Sequence, residues 1–213
     1  MPPAFTATAV PALVPLSLLE AMRNLDTPLD DGLPEPVGDM LNKRLGLSDT
    51  VAAQISRYRA VTDERGTLPR DEALSVVRLA GRRPDVVLLF ADAGRRAARH
   101  AVRTAPAVAL RLVDALPGPA GRRAASRLAQ QLARDIFECE LRPSGIEWQV
   151  RAAGTLVTAA LPDGSGCSFH TAGLAELLRK LVGFEGAMLP ERCVADGGSE
   201  CRWRGVPPSA LCA

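Results

Sequence analysis

The hydrophobic period of this chain changes once, near residue 143, and that change limits what it can fold into. Between 68 and 138 apolar residues recur at helical spacing. Val86, Leu89, Phe90, Ala93, Ala97 and Ala101 fall on one face, and Ala125, Leu128, Ala129, Leu132 and Ile136 on another. Pro69 stands at a first helical position with Asp71 and Glu72 in the first turn; Gly81 ends that helix and Pro84 opens the next. A shorter helix is expected over 106–115, broken by Pro-Gly-Pro at 117–119, and a longer one over 120–138. Beyond 143 the reading shifts to strands. IEWQV at 146–150 and TLVTAAL at 155–161 are expected strands, and PDGSG at 162–166 is a turn. Thr171 is placed to cap a helix carrying Leu174, Leu177, Leu178 and Leu181, with Gly183 at its end. AMLPERCVA and ECRWR then read as a hairpin. Helices first and strands clustered afterwards indicate an α+β fold, a helical layer on an antiparallel sheet of about four strands, with a pocket between the layers.

The first 67 residues are less regular. Ser17 and Glu20 form a capping box ahead of Leu18, Met22 and Leu25, which share a face. Pro28, Pro34 and Pro36 mark a loop, and short helices are expected over 37–45 and 49–60. The organisation read from this is an N-terminal arm with short helices (1–67), one ligand-binding domain (68–205) and a tail (206–213). The opening MPPAFTATAVPALVP is apolar but lacks a basic n-region, so it does not read as an export signal. No apolar run has transmembrane length, and a cytoplasmic location is expected. With 47% hydrophobic residues in 213 the chain can bury a core, and a net charge of +2 gives no argument for nucleic acid.

Five cysteines, an odd number, suit a disulfide framework poorly. If Asp196, Gly197 and Gly198 make a three-residue loop, with Gly198 left-handed, Cys193 falls opposite Cys201. Regular alternation sets Glu191 on the same face, and the helix after Cys167 can return that residue to the hairpin. A metal clip, a disulfide and separately buried thiols all remain open on spacing alone. The first would join Cys167, Glu191, Cys193 and Cys201 in a tetrahedral zinc site. Cys139, at a helix end, and Cys212, next to the C-terminus, stand outside this set.

RRAARHAVR at 95–103 lines up Arg95, Arg99 and Arg103 at helical spacing, either as a solvated face or as an anchor for the carboxylates of a ligand. His100 and His170 are candidate ligands of a metal in a bound cofactor, with a structural role as the alternative. Trp148, Trp203, Phe137 and Phe169 are core or pocket lining. No GxGxxG follows a strand and there is no P-loop, so a nucleotide or flavin site for an oxidoreductase is not visible.

Cys167 in GCSFH, Glu191 and Cys193 in ERCVADG, and Cys201 with Trp203 in CRWRG form a pattern similar to the 4-vinyl reductase domain family. The resemblance covers residues 70–205 and is strongest to members from bacteriochlorophyll biosynthesis. It implies a fold like that of certain vesicle-tethering subunits. It also implies a structural zinc on the cysteine and glutamate set, as in the family's ligand-sensing domains, and a magnesium porphyrin or protochlorophyllide-type tetrapyrrole as bound ligand. The implied partner is magnesium chelatase or a neighbouring pathway enzyme, and a homodimer is compatible with it. The family name implies vinyl reduction, here with an external electron donor, and sensing of small aromatic ligands is a further function within the family. One departure stands out. The family's acidic residue precedes the second cysteine by three, a position held here by Pro190, whereas Glu191 precedes it by two.

Overall fold

A computed structural model describes residues 8–27 and 45–211. The proline-marked loop, the helix expected over 37–45 up to its last residue, and Cys212 lie outside the described residues. The order is β1 (Ala9–Pro11), α1 (Leu13–Asp26), α2 (Asp49–Asp63), β2 (Thr67–Pro69), α3 (Arg70–Gly81), α4 (Val86–Arg103), α5 (Ala107–Ala115) and α6 (Gly118–Phe137). Then come β3 (Glu140–Ser144), β4 (Glu147–Ala152), the short α7 (Leu156–Ala160), α8 (Ser168–Val182), β5 (Ala187–Arg192), β6 (Cys201–Val206) and a last turn, α9 (Pro208–Leu211). β1 pairs with β2, and the other strands form an antiparallel sheet in the order β3-β4-β6-β5. The fold is mixed helix and antiparallel sheet, compatible with α+β.

Three local expectations fail for physical reasons, two of them in how helices begin. TLVTAAL is not a strand. Thr155 caps α7, its hydroxyl accepting from Thr158 N at 3.2 Å, and the Glu138 carboxylate accepts from Leu156 N. With its first amides satisfied, the β-branched segment turns helical. The fourth strand is instead β3, which only Leu141 anchors inward. Pro143, lacking an amide hydrogen, sits on this edge strand, where none is needed. Ser17 likewise caps nothing. Pairing of Val10 with Leu68 fixes the chain earlier, α1 starts at Leu13, and Ser17 is buried inside it. Pro15 falls in the first turn, where its missing amide hydrogen costs no bond.

The core is continuous from Val10 to Trp203. The boundary expected at 67/68 falls inside β2, and α1 buries Leu16, Leu18, Leu19 and Met22 against the same interior as α4. α8 lies on the inner face of the sheet, where Trp203 Nε1 donates to Thr171 Oγ1 at 2.9 Å. Thr171 is therefore not the cap of this helix. Its hydroxyl also donates to the carbonyl of Cys167, at the cap position, at 3.2 Å. α4 packs along the other side of α8, and α1 packs on α4. The α4–α8 contact is backbone to backbone. A Cβ at Gly94 would stand 2.1 Å from the Phe169 carbonyl oxygen, and one at Gly173 would stand 2.3 Å from the Phe137 ring.

His170 sits in this interior, fully buried, with its ring stacked on Trp203 at 5.3 Å. Nε2 lies 3.1 Å from the Phe137 carbonyl, which only accepts, so Nε2 carries the proton. Nδ1 has no partner among the described residues. Burial pushes the imidazole pKa down to about 4.

Two outcomes follow. Gly94→Ala forces backbone apart and should destabilise the chain by about 2 kcal/mol or more, read from the urea midpoint. The second concerns acid. An unfolded chain protonates His170 near 6.5 and the folded one only near 4. Between those values the unfolded state binds more protons, so stability rises with pH and this contribution is complete above 6.5. Lowering the pH to 4 should remove about 3 kcal/mol, and His170→Phe should flatten that part of the profile.

Candidate metal centre

Three cysteines distant in sequence meet at the start of α8. Cys167 is positioned by the turn before it. Gly164, at φ +76°, lets the chain reverse, Cys167 N donates to Gly164 O at 3.0 Å, and Asp163 accepts from Ser165 N at 3.1 Å. Cys201 opens β6, buried opposite Ala152. Cys193 follows β5, where the pairing of Arg192 with Arg202 carries it toward Cys201.

The sulfurs stand 3.4 Å (Cys167–Cys193), 4.0 Å (Cys167–Cys201) and 3.9 Å (Cys193–Cys201) apart, and the cysteines are free. Ligands at about 2.3 Å from one tetrahedral ion are separated by about 3.8 Å, so the trio fits a single metal. The three are close enough to hold an ion. A backbone amide also points at the sulfur: Val194 N donates to Cys201 Sγ at 3.4 Å. Such donors stabilise thiolate, the form that binds metal. Accordingly the hydrogen bond from Cys167, with help from Val194 N, holds the Cys201 thiol below its ordinary range. The same hydrogen bond to Cys201, together with burial, pushes Cys167 up.

The loop between β5 and β6 is not the expected three-residue turn. A 3₁₀ turn over Val194–Asp196 precedes Gly197, and Gly197 rather than Gly198 is left-handed, at φ +80°. Glu191 is not brought to the sulfurs. The pairing of β5 with β6 shifts between Pro190 and Arg192, so Glu191 is an extra residue and the alternation that would align it with Cys193 is broken. Its carboxylate pairs with Arg204 Nε at 2.9 Å. Cys139 is remote as well. Burial pushes its thiol up, and its sulfur donates to Ala133 O at 3.5 Å.

The other candidates separate into two places. Phe169 and His170 are core, beside a cavity of about 10 Å³, room for one water, so His170 is not reachable by a ligand ring. Trp148 is buried on β4 opposite Gly205. Arg95 is exposed on α4. Arg99, His100 and Arg103 line a cleft of about 320 Å³, but α8 stands between α4 and the sheet, so this cleft opens between α4, α1 and α2 instead. Arg59, from α2, and Arg96 complete its basic lining. An adjoining cleft of about 300 Å³ shares Leu13 and His100 and adds the apolar Ala101, Pro106, Leu132 and Ile136. Nothing in the periodicity marked α1 and α2 as cleft walls, because their placement is set by packing.

Arg103 lies 3.1 Å from His100 Nδ1, and a guanidinium only donates. Nδ1 is therefore the acceptor and Nε2 bears the hydrogen. Burial and Arg103 keep the ring's pKa low. His100 is thus a donor toward the cleft, not an axial ligand in this arrangement.

Zinc titration should give one equivalent bound, lost in Cys167→Ser, Cys193→Ser or Cys201→Ser and retained in Cys139→Ser and Glu191→Gln, read by elemental analysis. No family model, curated protein or solved structure matches this chain.

Proposed function

We propose that the chain is a tetrapyrrole-binding protein of bacteriochlorophyll synthesis, a member of the 4-vinyl reductase domain family built on a structural zinc centre. In this reading it delivers a magnesium porphyrin or protochlorophyllide-type intermediate to or from a pathway enzyme such as magnesium chelatase. The observation that carries it is the convergence of Cys167, Cys193 and Cys201, the three cysteines on which the family resemblance rests, across as many as 34 positions of sequence. Three thiolates favour a soft, tetrahedral ion, and zinc bound there would fasten the start of α8 to the β5–β6 loop without redox chemistry.

The paired clefts support the ligand part. One is mainly apolar, with Arg65 and Asp135 also in its lining, the other carries four arginines beside Glu20 and Asp63, and they meet at His100, an arrangement that suits a flat apolar ring with acidic edges. Within the basic cleft Arg59 is paired with Glu20, Arg96 with Asp92 and Arg99 with Glu176. Among the described residues Arg103 pairs with no carboxylate, so it is the guanidinium readiest for a propionate.

The 213-residue chain should shift the Soret band of magnesium protoporphyrin at micromolar pigment. Arg103→Glu should raise Kd about tenfold or more, the loss of one charge-assisted hydrogen bond, and Arg95→Glu should not. Absence of any shift would overturn the reading. Conversion of a divinyl pigment by this chain and NADPH alone would replace the carrier by an enzyme.

A further inference from the structure

We infer that, among the described residues, the three-cysteine centre supplies only three ligands and leaves the fourth position of its metal open to a neutral exogenous donor, a water that an imidazole can displace. The inference rests on the metal reading above and goes beyond it, since a purely structural zinc would be closed by four protein ligands.

Among the described residues no histidine or carboxylate joins the three sulfurs within the 4.8 Å that groups them. The nearby acids are committed elsewhere, Glu200 beside Cys201 to Arg202. Glu191 is held by Arg204 at 2.9 Å. Asp196 accepts from Cys193 N at 3.3 Å, and Asp163 accepts from Ser165 N at 3.1 Å and Ser165 Oγ at 2.8 Å. His170, one turn into α8, faces the Phe137 carbonyl. The residue three before Cys193 is Pro190, which has no donor atom in its side chain. Cys201 is buried while Cys167 and Cys193 are half-buried, so the accessible side of the trio is theirs, and an incoming ligand has a route.

Charge selects the donor. A divalent ion on three thiolates already carries one net negative charge. The Asp196 carboxylate, which accepts from the backbone amide of the ligand Cys193 at 3.3 Å, adds to it. An anionic fourth ligand is therefore disfavoured and a neutral one accepted.

Cobalt(II) loaded into the full chain tests this, because its visible ligand-field bands report the ligand set. The expected result is a saturable shift of those bands with imidazole and none with azide, identical in Glu191→Gln and Asp196→Asn. Bands unmoved by imidazole, or already changed in either variant before imidazole is added, would mean a protein carboxylate or another side chain closes the site, and the inference falls. A shift with azide instead would overturn the choice of a neutral donor. Failure to bind cobalt at all would sink the metal reading itself, an outcome distinct from the others.

Discussion

A side chain at Gly94 would stand 2.1 Å from the Phe169 carbonyl, so α4 and α8 can lie this close only because neither presents a Cβ at the crossing. Gly173 repeats the device one turn on, where the Phe137 ring of α6 fills the space. From this contact a line of rings runs through the core. Phe137 and Phe169 lie 5.3 Å apart, Phe169 meets His170 edge-on at 5.6 Å, and His170 stacks on Trp203. In a chain of only 4% aromatic residues, three of its eight Phe, Trp and Tyr side chains are gathered here. They fix α8 against both α6 and β6, and thereby place Cys167 beside Cys201.

A second constraint acts at the end of α6. Glu138 is not glycine yet adopts φ 51°, buried, with its carboxylate on Arg70 at 2.8 Å and on the first amide of α7. A left-handed residue of this kind is held by its surroundings. The ion pair joins the start of α3 to the turn before the sheet, and the same carboxylate converts the segment after β4 from strand to helix. A local sequence rule cannot anticipate this, because the partner that decides it is 18 residues away.

That contrast explains what was legible. Long periodic segments such as 86–103 and 120–138 declared themselves, since their apolar faces are the core faces. The cysteine trio was legible too, because a hairpin register and one returning helix bring those positions together. Pro190 undid the fourth expected ligand. Alternation assumes an unbroken ladder, and the shift beside a proline turns Glu191 to Arg204. The short strand β3 carries one inward residue and has no period to read, and the clefts owe their walls to α1 and α2, whose docking is tertiary.

α8 joins the two candidate sites. It begins at the cysteines and carries Glu176 about 14 Å further along its axis, where the carboxylate meets Arg99 at 2.9 Å and Arg179 at 3.0 Å. Burial pushes Glu176 up, but the two guanidinium groups outweigh it and hold the carboxyl below its ordinary range. A ligand carboxylate that recruited Arg99 would have to draw it from a buried anion, and breaking such a pair is costly even with Arg179 left in place. Arg103 faces no such competition, because its recorded partner is a neutral imidazole. The stripe of arginines that looks uniform in sequence is therefore divided by its neighbours, Arg99 serving the α4–α8 contact and Arg103 serving the cleft.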